Sequence, residues 1–103
     1  MALTADIFND MHNYIKNNIS AVRYVSSEGI STAEIRSVTE TENGTVRVEV
    51  AIEKSNIRIT EIHLYGKNGH LWAKQNVDIT LDGSAAGVIY RFEINLKEGN
   101  IHV

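Results

Sequence analysis

IRITEIHLYGKNGHLWAK, residues 57–74, decides how this chain folds. Two β-rich runs flank the polar turn Gly66-Lys67-Asn68-Gly69. Ile57 and Ile59 share one parity, whereas Ile62 and Leu64 share the other. Successive side chains of a strand point to opposite faces, so a regular strand cannot send all four into one core. One extra residue resolves the conflict, and the spacing predicts a bulge or bend near Thr60-Glu61. Beyond the turn, Leu71, Trp72 and Ala73 open a return strand that can run on to Val77 and Ile79.

The same reading extends in both directions. Upstream, residues 45–53 alternate cleanly, with Val46, Val48, Val50 and Ile52 on one side and Arg47, Glu49 and Glu53 on the other. That is the pattern of a strand with one buried and one wet face. Lys54-Ser55-Asn56 separates it from the central hairpin, and Glu42-Asn43-Gly44 precedes it. Asn-Gly tolerates the positive φ of a type I′ turn and signals a hairpin. A strand over 33–41 and a short one over 21–25 come earlier, separated by the polar loop Ser26-Ser27-Glu28-Gly29. Downstream, residues 82–87 read as a mobile loop of small residues. The strongest alternation follows: Val88, Tyr90, Phe92, Ile94 and Leu96 against Arg91, Glu93, Asn95 and Lys97. It predicts a strand well inside a sheet, and residues 99–103 form a tail.

Only the N-terminal stretch has helical period. Leu3, Ile7, Phe8, Met11, Tyr14, Ile15 and Ile19 recur near every 3.6 residues, predicting a helix over 4–18. Thr4 suits the N-cap, Leu3 and Phe8 stand at hydrophobic-staple spacing, and Asp6 favours the helix dipole. Asn17-Asn18 marks the end. His12 falls toward the polar side and is expected in solvent.

One helix followed by about six antiparallel strands specifies a mainly β fold with an N-terminal α-helix. A β-sandwich with the helix in front is the first expectation; a single curved antiparallel sheet wrapped on the helix is the alternative. With 103 residues the chain makes one domain: helix over 1–19, sandwich over 20–98, tail over 99–103.

Composition excludes several kinds of chemistry. Without cysteine there is no disulfide, thiolate nucleophile or cysteine metal site. A net charge of −3 with interspersed signs offers no basic block for phosphates, so nucleic acid is not an expected partner. The opening MALTADIF has neither a basic n-region nor a long apolar run, so synthesis in the cytoplasm without membrane insertion is expected. No serine sits in a G-x-S-x-G elbow, and Gly83 and Gly87 do not form a phosphate loop. Carboxylate pairs such as Glu40 with Glu42 and Asp78 with Asp82 flank polar turns rather than a cleft. No catalytic residue and no cofactor is therefore expected.

The candidate binding residues are Trp72, Tyr65, His63 and His70. Trp72 and Tyr65 can stack on a sugar or a partner, whereas Tyr90 reads as core. His63 and His70 flank the central turn, and a metal site would need both rings to converge with a carboxylate such as Glu61. A hairpin centred on Asn68-Gly69 instead sets His63 opposite Lys74 and His70 beside the turn, so no metal site is expected.

Residues 59–73, ITEIHLYGKNGHLWA, resemble a pattern of phage tail-fibre and tail-appendage proteins. There a strand I-T-E-I-x-L-Y/F leads through a polar turn ending in glycine to L-x-A. The opening MALTADIFNDMHNYIKNNI is similar to the starts of small proteins encoded among prophage tail genes. Together the two stretches cover about a third of the chain. The resemblance implies a non-enzymatic structural or adhesion role, usually in a symmetric oligomer, and a place in a virion. Lacking repeats and a stalk, the chain fits a small tail-associated subunit. Its expected contacts are self-association, or other tail proteins, through the N-terminal helix or an edge strand. A carbohydrate- or protein-binding β module, with a glycan as partner, is the alternative.

Overall fold

The computed structural model describes residues 2–41, 44–83 and 87–95. The order is α1 (Ala5–Asn17), β1 (Ala21–Ser26), β2 (Gly29–Glu40), β3 (Val46–Ile52), β4 (Ile57–Tyr65), a 3₁₀ turn at Lys67–Gly69, β5 (Leu71–Leu81) and β6 (Val88–Ile94). All strand pairs are antiparallel, and the sheet order is β5-β4-β1-β2-β3-β6. The protein is thus mainly β with one N-terminal helix, and its six-stranded sheet curls nearly into a barrel. The long strand β2 produces the curl. Its residues 29–33 pair with β1 and its residues 34–40 with β3, with a register shift between Ile35 and Ser37. The two halves of the ladder are therefore joined through one strand and face each other as sandwich layers do, while remaining one sheet.

The expected break in β4 is present. Both ladders shift at Thr60: against β1, Val25↔Glu61 gives way to Ser26↔Ile59 and Thr60 is the extra residue, whereas against β5, Glu61↔Asn76 gives way to Ile59↔Ile79 and Val77 and Asp78 stand opposite it. With that extra residue Ile57, Ile59, Ile62 and Leu64 all point inward and are buried. They join Val22, Tyr24, Val46, Val48, Val50, Ile52, Leu81 and Phe92 in one core. Burying such side chains contributes about 1.5–3 kcal/mol each relative to exposure. The β4–β5 turn follows from its residues: Asn68 takes φ 62° and Gly69 φ 74°, a left-handed conformation that asparagine and glycine accept readily. Gly66 N–H closes the turn on the His70 carbonyl at 2.8 Å.

Some expectations shift. β2 starts at Gly29, not at 33, because Ser26 and Gly29 already pair across a tight turn of Ser27 and Glu28. β6 lies at the edge of the sheet rather than inside it. Alternation reports that one face is buried, and an edge strand satisfies that as well as a central one. Thr4 stands at the N-cap in extended conformation, but its hydroxyl makes no capping bond. The C-terminal end is as expected, with the Asn18 amide donating to the Tyr14 carbonyl at 2.7 Å. Glu42 and Asn43, the loop residues 84–86, Leu96 and Lys97 of the final strand and the tail 99–103 lie outside the described residues.

His12 is a correction. It is 3% exposed and is the one buried residue of α1. The helix turns His12 and Ile15 toward the sheet, and the imidazole packs beside Gly44, where a Cβ would stand 3.5 Å from Cε1. Ile7 and Tyr14 are left outward, 40% and 50% exposed. The apolar stripe of α1 is wider than the strip it covers.

Candidate functional site

Two features stand out, one apolar and one polar. The apolar one lies where the curled sheet fails to close. β5 and β6 are its open edges, and a cavity of about 260 Å³ between them is lined by Ile15, Leu64, Trp72, Ala73 and Ile94. A second register shift builds its wall. Leu64 pairs with Ala73 and Tyr65 with Leu71, so Trp72 is the extra residue of a bulge. Its indole lies across Gly66, where any Cβ would overlap the ring. Glycine is required at that position for space, since its φ of −108° is open to any residue. The Tyr14 ring tilts over the same indole at 6.1 Å, tying α1 to β5. Trp72 is half-buried, neither wholly core nor a free surface. A shallower dent of about 270 Å³, on the β3–β6 side, is flanked by Arg36 and Glu53, which pair with each other at 2.7 Å.

The polar feature occupies the outer face of β1, β4 and β5. Antiparallel register lines up Thr32, Arg23, His63 and Lys74 across four strands. The neighbouring row is Ala21, Tyr65 and Leu71. Glu61 precedes His63 by one outward position on β4. Its Oε1 accepts from Lys74 Nζ at 3.0 Å and lies 3.4 Å from His63 Nε2. The hydrogen bonds from Lys74 and His63 favour the ionised carboxylate and hold the Glu61 pKa below its ordinary value. On its other nitrogen, His63 Nδ1 stands 3.4 Å from the Tyr65 hydroxyl. Arg23 sets its guanidinium over the Tyr65 ring, 5.1 Å from the centroid, in cation–π geometry.

Among the sequence candidates, His63 and Tyr65 are therefore brought together. His63 faces Lys74 across the hairpin, as the turn register required. His70 is exposed beside the turn, apart from that cluster. Trp72 and Tyr65 do not form one platform: Trp72 lines the inner cavity with Leu64, while Tyr65 stands on the outer face with Arg23. The bulge at Trp72 separates them. Tyr90 lies on the inward face of β6, edge-on to Phe92 at 5.2 Å, and burial pushes its phenol pKa up. Arg23, Lys74, Ile15 and Ile94 were not singled out from sequence. Arg23 alternates outward in β1, which is visible, but its neighbour β4 is far along the chain, and that pairing has no local signal.

Among the described residues no group of three or more His, Asp or Glu side chains is placed to hold a metal ion. Nor is any helix long and apolar enough to cross a membrane. No family model, curated protein or solved structure matches the chain.

Proposed function

We propose that the protein is a non-enzymatic assembly subunit, of the kind associated with phage tails, and that a second copy of the chain covers the outer face of α1 and the open edge of β5. The observation that carries this reading is the continuity of those two surfaces. Tyr14 of α1 lies against Trp72 of β5, and both rings are left partly open to solvent. Ile7 and Tyr14, one heptad apart, extend the apolar strip along the helix. β5 adds an unpaired edge of 11 residues. Proteins that remain single blunt such edges with proline, bulges, charge or cover; this chain has no proline, and the Trp72 bulge leaves the stretch from Ala73 to Asn76 as regular unpaired edge.

Sedimentation equilibrium tests the reading. The expected mass is a multiple of the 11.5 kDa chain, returning to a single chain in Tyr14→Glu with the far-ultraviolet spectrum unchanged. A single-chain mass at millimolar concentration overturns it. So does an oligomer that Tyr14→Glu and Ile7→Glu both leave intact.

A further inference from the structure

We propose that Arg23, His63, Tyr65 and Lys74 form a shallow recognition site for a sugar acid, whose carboxylate is held by the Arg23 guanidinium. The argument begins with ion pairing. Arg36 pairs with Glu34 and Glu53, Arg47 with Glu93, Arg58 with Asp78 and Arg91 with Glu49. Among the described residues Arg23 alone of the arginines has no carboxylate at ion-pair distance. It is nevertheless held in place, its guanidinium stacked over Tyr65. A guanidinium so fixed keeps its forked donors free, and that fork matches the two oxygens of a planar carboxylate.

Charge supports the same occupant. Arg23 and Lys74 flank His63 in one cross-strand row, and among the described residues Glu61 is the one acid that pairs with the group. Both Lys74 and His63 engage the same Glu61 oxygen, so Glu61 neutralises Lys74 and leaves Arg23 uncompensated. The result is a local positive spot on a chain of net charge −3. The surroundings select a hydroxylated ligand over a bare anion. Thr32 continues the row beyond Arg23, Lys74 and the Tyr65 hydroxyl add hydrogen-bonding groups, and Leu71 beside Tyr65 offers an apolar strip. A sugar acid presents the matching set: a carboxylate, hydroxyls and an apolar ring face. This site does not depend on the assembly reading, because it lies on the outer sheet face.

The test is a side-chain NMR titration of the full chain with D-glucuronate, D-glucose, acetate and a triglutamate peptide as probes. Saturable shifts of the Arg23 Nε–H and His63 ring signals are expected with glucuronate, at least tenfold tighter than with acetate, and none with glucose. Arg23→Gln should weaken glucuronate at least tenfold, and Arg23→Lys, which keeps the charge but loses the fork, by a smaller factor. Absence of saturable shifts with glucuronate overturns the proposal. Equal binding of acetate, which means an adventitious ion only, also overturns it, and so does tighter binding of triglutamate. Retained affinity in Arg23→Gln would do the same.

Discussion

β3 and β6 carry nearly the same pattern, yet they hold different positions in the molecule. Both set four apolar residues at every second of 7 positions, with an arginine and a glutamate among the residues between, and they pair directly, from Val46↔Ile94 to Ile52↔Val88. On β3 the inward residues Val46, Val48, Val50 and Ile52 are at most 1% exposed. On β6 only Phe92 is buried, while Val88, Tyr90 and Ile94 are half-covered. The difference lies in the neighbours. β3 has a strand on each side, whereas β6 borders the seam where the sheet stays open. Alternation therefore measures which face a strand buries, and lateral position decides how completely.

That contrast can be broken most directly by truncation. Ile52→Ala on β3 should cost about 2–5 kcal/mol of unfolding free energy, as fully buried isoleucines do. Ile94→Ala on β6 should cost nearer to about 1 kcal/mol, since part of that side chain already meets solvent. Urea denaturation of both variants checks the pair, and equal losses would mean that the seam is as tightly packed as the interior.

The seam has its own sensitive point. Gly66→Ala forces a methyl into the space of the Trp72 ring, and overpacking of this sort costs about 1–3 kcal/mol. The ring must move toward solvent, so a red shift in emission from the single tryptophan should accompany the loss. An unchanged spectrum would mean that the indole is not seated on Gly66.

How much of this was legible beforehand follows the same division. The parity conflict in β4 located its bulge, because a local period records which side chains enter the core. The same local logic placed the helix, the β4–β5 turn and the buried face of β3. The pairing of β1 with β4 was not legible, since nothing in either strand names its partner. Hence Arg23, which reaches Tyr65 only through that pairing, escaped notice. His12 was misplaced for a related reason. The helix stripe spans Ile7 to Ile15 around more of the circumference than the sheet covers, and period alone does not say which part docks. The part that docks carries His12, whose imidazole lies beside Gly44.

The smallest expected effect concerns the outer face, where β4 meets water. The lowered pKa of Glu61 means that its carboxylate is worth more in the folded chain than in the unfolded one. That contribution is complete above the ordinary carboxylate range and disappears as pH falls through the lowered folded value. Glu61→Gln should therefore unfold at a slightly lower temperature than the parent at pH 7, with the gap closing under acid. Thermal melts across that range check it, and a gap that widened toward low pH would reverse the assignment.

The skipped residue Thr60 has a consequence for how this chain tolerates change in length. It acts as a phase shifter: upstream isoleucines count in one frame, downstream residues in the next, and the ladder absorbs the mismatch there. Removing one amino acid away from the Thr60-Glu61 step would throw part of its apolar side chains into water. Removing Thr60 would bring both frames into step against β1 and leave β5 to loop out Val77 and Asp78, so a deletion that breaks the strand elsewhere is best tolerated at this step.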